Sequence, residues 1–142
     1  MIGVGTLPPV IVLAAWTMVM WAWMYRARMP ELRRAALSEE ELSTLTQARL
    51  DQMLPPSSQW KAHNYNHLHE APTVFYAVAL VLAVIGQGDG LSALLAWLYV
   101  VLRIAHSLIH ATNNRVMRRF VVFTLSSVVL MALILRAAIA FV

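Results

Sequence analysis

Residues 120–142 read FVVFTLSSVVLMALILRAAIAFV, and Arg136 is the only charged side chain among them. A helix needs about 20 consecutive, mostly apolar residues to cross the hydrocarbon core of a bilayer. Three further stretches come close to this requirement: residues 7–25, 63–85 and 91–112. We therefore predict an all-α fold, an integral membrane four-helix bundle that forms one domain over residues 1–142. The two long polar connections are residues 26–62 and 113–119.

Composition supports the membrane prediction and excludes several functions. Hydrophobic residues make up 60% of the 142-residue chain, and its mean hydropathy is +0.64. Four crossings and their loops use nearly the whole chain, so no separate soluble domain is expected. The net charge of +4 does not indicate nucleic-acid binding, because the basic residues flank the apolar runs. The chain has no cysteine, so any thiol chemistry requires a thiol from a ligand.

The charges of the loops predict an orientation. Residues 26–61 and 113–119 hold nine of the eleven Lys and Arg residues. Positive loops normally face the cytoplasm, so we expect both termini in the periplasm of a bacterial inner membrane. Within the large loop, Ser38 and Glu41 have the spacing of a capping box, which predicts a short surface helix near residues 38–52.

Polar side chains recur at helical spacing on the second and third predicted spans. The second-span stripe consists of His63, His67 (or Asn66) and Glu70. The third-span stripe consists of Arg103, His106 and His110. In the predicted orientation both stripes lie at the cytoplasmic end, and charged groups at membrane depth are costly unless paired or hydrated. The two stripes should therefore face each other, or a water-filled cleft between helices or subunits.

Other interpretations of these stripes stay open. Polar residues at helix ends often only anchor a span, and Glu70 with Arg103 could form a structural ion pair. Two aligned stripes nevertheless favour a binding site. A metal site is a further alternative, because two histidine pairs have i, i+4 spacing: His63/His67 and His106/His110. The positive charge of Arg103 disfavours a metal ion, so we assign no metal ligands.

Two sequence motifs carry a resemblance to a known family. Residues 61–72 read KAHNYNHLHEAP, and residues 103–110 read RIAHSLIH, followed by a loop with Arg115, Arg118 and Arg119. The first motif resembles the start of the second helix in the MAPEG family, the membrane-associated proteins of eicosanoid and glutathione metabolism. There an Arg- and His-containing run precedes Asn-x-x-Glu and a proline. The second is similar to the Arg-x-x-His-x-x-x-Tyr of the third helix in prostaglandin E synthase-like members.

The resemblance implies a homotrimer that holds glutathione at subunit interfaces near the cytoplasmic face. Glu70 would meet the glutathione amine, while Arg103, His106 and His110 would line the pocket. Arg119 would be catalytic, because a nearby cation stabilises the thiolate nucleophile. The other expected ligand-binding residues are Lys61, His63, Asn66, His67 and Arg115. A lipophilic substrate would enter from the surrounding membrane lipid.

The chain also departs from the family pattern. His67 stands at the Asn position and His110 at the Tyr position, while Phe120 and Phe123 follow the basic loop, where an aromatic hydroxyl is expected. Three functions therefore stay open. They are a glutathione-dependent transferase or peroxidase acting on lipophilic electrophiles, a non-catalytic lipid-binding protein or accessory subunit of a membrane complex, and a histidine-rich metal-binding bundle.

Overall fold

A computed structural model describes residues 2–141, which form seven α-helices after a 3-10 turn at Val4–Thr6 and contain no β-strand. The helices are α1 (Leu7–Arg34), α2 (Glu39–Ser43), α3 (Gln47–Met53), α4 (Pro56–His67), α5 (Ala71–Val84), α6 (Leu91–Ala111) and α7 (Val116–Ile139). Met1 and Val142, which the predicted domain 1–142 and the predicted fourth span include, lie outside the described residues.

Four helical segments are long and apolar enough to cross a membrane. They are Val4–Arg34, Pro56–Val84, Leu91–Ala111 and Val116–Ile139. This finding confirms the predicted all-α fold of an integral membrane four-helix bundle. The first helix continues nine residues past the predicted end of its span at residue 25, because hydropathy marks the apolar part of a helix and not its end.

Two short helices, α2 and α3, occupy the loop in which one surface helix was predicted. Ser38 and Glu41 form the expected capping box, in which the Ser38 hydroxyl accepts from the Glu41 N–H and the Glu41 carboxylate accepts from the Ser38 N–H. The backbone hydrogen bond from Ser38 lowers the pKa of Glu41 below its ordinary value. Thr46 adopts an extended conformation and caps a new helix, so the predicted helix is divided in two.

The second span is broken between α4 and α5. Pro72 stands in the first turn of α5, where its missing N–H needs no partner. α4 ends at His67, and the backbone at Glu70 (φ −93°, ψ −104°) is not helical. The regular register assumed for residues 63–70 therefore stops at His67, which changes the direction in which Glu70 points.

Contacts within the chain pack the core of the bundle and fix one of its ends. Phe75 of α5 stacks on Tyr99 of α6, with ring centroids 4.5 Å apart, and both side chains are fully buried. At the end formed by residues 2–6 and 85–92, which we call the turn end, a Cβ on Gly88 would overlap the Gly3 carbonyl oxygen. This contact requires glycine, and it holds the N-terminal segment against the turn before α6.

Candidate functional site

A cavity of about 250 Å³ opens beside the first turns of α7. Its lining combines two histidines and an arginine with apolar side chains: His67, His106, Val116, Arg119, Phe120 and Phe123. These residues come from three helices, α4, α6 and α7. We call the part of the bundle around this cavity, opposite the turn end, the cavity end. Three of the residues predicted from sequence, His67, His106 and Arg119, meet in this cavity.

The imidazole of His67 joins α4 to the polar face of α6. Its ring centroid lies 5.2 Å from that of His106 and 6.1 Å from that of His110, both edge-on. It also stacks on Phe123, with ring centroids 5.5 Å apart. His106 and His110 are buried together with Arg103, because α6 is an unbroken helix and these positions share one face. The structure thus brings His67 against His106 and His110. Of the third-span stripe only His106 lines the cavity, so the prediction that Arg103 and His110 also line it is corrected.

Arg119 supplies a cation to the cavity. One end of its guanidinium is fixed, because Nη1 donates a hydrogen bond to Asn114 Oδ1 at 2.5 Å. Asn114 itself has a left-handed conformation (φ 46°), and its N–H bonds the Ile109 carbonyl at the end of α6. Asparagine tolerates this conformation well. Arg119 Nε is buried and has no hydrogen-bond partner among the described residues, so it is free to donate to a ligand.

Arg103 is a buried charge with no carboxylate beside it in the described part of the chain. Its side chain is 2% exposed, and its guanidinium carbon lies 5.2 Å from the Phe123 ring centroid. Nε donates to the Tyr99 hydroxyl at 3.1 Å, whereas Nη2 has no partner. The alternative of a Glu70–Arg103 ion pair is therefore wrong. An uncompensated buried charge is costly, so Arg103 favours an anionic group from outside the chain.

The predicted second-span stripe is split by the break after α4. Glu70 points outward, with a side chain that is 67% exposed, and its carboxylate lies 2.7 Å from His67 Nδ1. His63 is also exposed and lies 3.7 Å from the Asp51 carboxylate of α3. The prediction that His63, His67 and Glu70 share one face is corrected here. Only His67 lines the cavity, and Glu70 is positioned at its edge through that histidine.

Three other predicted ligand-binding residues lie outside the cavity. Lys61 Nζ donates to the Ser57 carbonyl at 2.8 Å and to the Ala111 carbonyl at 3.2 Å, so it connects α4 to the end of α6. Asn66 and Arg115 are exposed. The carbonyl contacts of Lys61 give it a structural role within one chain, and the other two residues could reach a ligand only from the rim.

A buried polar contact that sequence reasoning missed lies next to the histidines. Asn64 Nδ2 donates to Ser107 Oγ at 2.5 Å, and Trp16 Nε1 donates to the same oxygen at 3.0 Å. These bonds connect α4 and α1 to α6 one residue after His106. The signal was present, since an indole N–H in an apolar span needs an acceptor. Helical spacing alone could not show that Asn64, and not Asn66, points inward.

The metal alternative has no site in the described part of the chain. Among residues 2–141, no group of three or more His, Cys, Asp or Glu side chains is arranged to hold a metal ion. His67, His106 and His110 meet mainly edge to face, and the His67 Nδ1 that could bind a metal contacts Glu70.

Comparison with known proteins gives one match. The model of the MAPEG family matches residues 6–139, which include every residue of the cavity and all four spans except the first two residues of the first one. Comparison with curated proteins found no match. Comparison with solved structures also found none.

Proposed function

This chain belongs to the MAPEG family, and from that premise we propose that it is a membrane transferase that joins glutathione to a lipophilic electrophile. One observation carries the proposal. The cavity holds the guanidinium of Arg119, whose Nε lacks a hydrogen-bond partner in the described chain, between aromatic and apolar walls. A cation in such a place lowers the pKa of a bound thiol, and the thiolate is the reactive form.

The residues at the cavity end fit the charges of glutathione. Its two carboxylates require cations, and Arg103 and Arg119 each keep a buried N–H without a partner in residues 2–141. Its amine requires an acid, which Glu70 offers at the edge of the cavity beside His67. The volume of about 250 Å³ is just below the range of about 300–1,000 Å³ that is usual for ligand sites. We propose that a neighbouring chain of the homotrimer that the family resemblance implies completes the wall of the cavity.

The proposed reaction depends on the positive charge of Arg119 and on the side of the cavity that is open to the bilayer. The thiol proton passes to water, and Arg119 stabilises the thiolate that remains. The sulfur then forms a bond to the electrophilic carbon, and the leaving group departs with its bonding electrons. Val116 and Phe120 line the cavity and are strongly exposed, so a lipophilic substrate would reach the sulfur from the bilayer side.

The conjugation of chlorodinitrobenzene by the purified protein tests this function. Arg119→Gln should lower kcat/KM by about 10²-fold, the typical effect of removing one donor that stabilises a developing anion. Arg118→Gln is the matched control, because Arg118 immediately precedes Arg119 in the chain and lies outside the cavity. Equal losses in both variants, or no conjugation by the native protein, would contradict the proposal.

A second candidate is a non-catalytic member that binds a lipid. It is favoured by Phe120 and Phe123, which place no hydroxyl group in the cavity. Mass spectrometry of lipid extracted from the purified protein distinguishes the two functions. One lipid retained in the cavity, displaced by Phe120→Trp and unaffected by glutathione, would favour the second candidate over the transferase.

We further propose that the chain lies in a bacterial inner membrane with both termini in the periplasm. The basic loops support this orientation. Because the chain has no cysteine, single exposed positions can be labelled selectively. In spheroplasts, a membrane-impermeant maleimide should label Gln87→Cys at the turn end and should label Gln52→Cys in α3 only after lysis. The reverse pattern would contradict the orientation.

A further inference from the structure

A second cavity lies on the other side of α7 and plays no part in the proposed reaction. It has a volume of about 300 Å³ and is lined by Ile109, Met117, Arg118, Val121 and Val122. In a helix with 3.6 residues per turn, positions 117, 118, 121 and 122 point away from positions 116, 119, 120 and 123, which face the first cavity. We call this second cavity the outer groove, and it is separated from Arg119 by the body of α7.

The outer groove has an apolar part and a charged part, as a binding site for an amphiphile requires. Four of its lining residues are apolar, and Met117 is 75% exposed, so no other part of the described chain covers it. The fifth, Arg118, is exposed and makes no ion pair or side-chain hydrogen bond within residues 2–141. Val121 and Val122 lie one turn further along α7 than Arg118, which places the apolar part deeper in the span.

The sequence leaves the charge of Arg118 without a counterion nearby. No Asp or Glu occurs after Asp89, whereas five arginines follow it. One of them, Arg115, is exposed and lies three residues before Arg118, close to it on α7. Five of the seven acidic residues of the chain lie between residues 31 and 51. A second copy docked by its own α6–α7 surface would therefore bring more positive charge to the groove and no carboxylate.

We propose that the outer groove binds one anionic phospholipid of the leaflet that faces the basic loops. An acyl chain lies along Val121 and Val122, and the phosphate accepts hydrogen bonds from Arg118, with Arg115 adding positive charge. A basic residue at a membrane surface contributes about 1 kcal/mol to the binding of anionic lipid. The site is distinct from the glutathione cavity, and its arginine is not the one that stabilises the thiolate.

Lipid titration of the whole protein in a neutral detergent, followed by native mass spectrometry, tests this site. Phosphatidylglycerol should be retained more strongly than phosphatidylcholine with the same acyl chains. Arg118→Gln should reduce the retention of phosphatidylglycerol about fivefold, which corresponds to about 1 kcal/mol for one arginine. Arg33→Gln, the same change at an exposed arginine of α1, should have no effect. Val121→Trp should fill the groove and weaken the binding of both lipids.

Equal retention of the two lipids by the native protein would overturn the proposal, and so would an unchanged preference for phosphatidylglycerol in Arg118→Gln. A change in the oligomeric mass of Val121→Trp would also overturn it, because the groove would then be a contact between subunits. Arg118→Lys keeps the positive charge and should keep the preference for phosphatidylglycerol. The proposal can therefore be tested with this variant if Arg118→Gln does not fold. Arg118→Gln should retain conjugation activity and Arg119→Gln should retain the lipid preference, which separates a failure of this site from a failure of the transferase.

Discussion

At the turn end of the bundle, buried polar side chains find partners within the chain, whereas at the cavity end several do not. The Thr6 hydroxyl donates to the Ala79 carbonyl, and Arg136 Nε donates to Ser92 Oγ at 2.9 Å. The buried side-chain atoms without a hydrogen-bond partner in the described residues are Arg28 Nε and Nη2, Asn64 Oδ1, Arg103 Nη2, His110 Nδ1 and Arg119 Nε. Of these, Arg28 Nη2 lies 3.8 Å from the Asp51 carboxylate, in an ion pair. All of them belong to the half of the bundle that contains the cavity.

The difference between the two ends distinguishes polar groups that stabilise the fold from polar groups that are available to a ligand. The hydrocarbon core of a bilayer offers no water to unsatisfied polar groups, so a span that only has to fold satisfies them internally. Groups left without partners at one end indicate a ligand or a neighbouring subunit. The turn end therefore stabilises the bundle, and the cavity end keeps donors available at a cost in stability.

Replacing one arginine at each end by methionine should change the free energy of unfolding in opposite directions. Arg103→Met removes a buried charge without a carboxylate, so we expect the free energy of unfolding to rise by about 1–4 kcal/mol, as when buried ionic groups are replaced by apolar ones. Arg136→Met leaves the buried Ser92 hydroxyl without its donor, so we expect a decrease. Reversible unfolding of both variants in mixed detergent micelles measures the two changes. A loss of stability in Arg103→Met would remove the contrast between the ends.

A smaller effect is expected from a hydrogen bond at the turn end. Thr6→Val keeps the shape of the side chain and removes the bond to the Ala79 carbonyl. Hydrogen bonds between membrane helices contribute about 0.6 kcal/mol on average and about 1.7 kcal/mol at most. The same unfolding assay should show a loss in this range, with conjugation activity unchanged. A variant that keeps its stability but loses activity would contradict the division between the two ends.

The smallest expected change in stability is that of the capping box in the loop of residues 26–62. The pKa of Glu41 is lowered in the folded chain, so the capping box stabilises α2 above the unfolded pKa of about 4.5. That contribution disappears as the pH falls through the lower pKa of the folded state. Once the pH dependence of intrinsic amide exchange is divided out, the protection of α2 against hydrogen exchange should therefore fall on acidification in the native protein. In Ser38→Ala this protection should already be low at neutral pH, and protection that does not change with pH in the native protein would contradict this account.

Sequence reasoning succeeded where one helix continues and failed where it breaks. The third-span stripe of Arg103, His106 and His110 is buried on one face because α6 is regular throughout. The second-span stripe assumed the same regularity, but the break before Pro72 turned Glu70 outward. The contact of His63 with Asp51 depends on where α3 folds back, which no helical periodicity can reveal.

The charge placement at Arg119 is the centre of the account, and the ultraviolet absorbance of bound thiolate tests it most directly. Glutathione added to the purified native protein at neutral pH should produce the thiolate band, and Arg119→Gln should lack it. Arg118→Gln, with the same loss of charge on the opposite side of α7, should keep the band. Absence of the band in the native protein, or its persistence in Arg119→Gln, would contradict the claim that the cavity stabilises a glutathione thiolate.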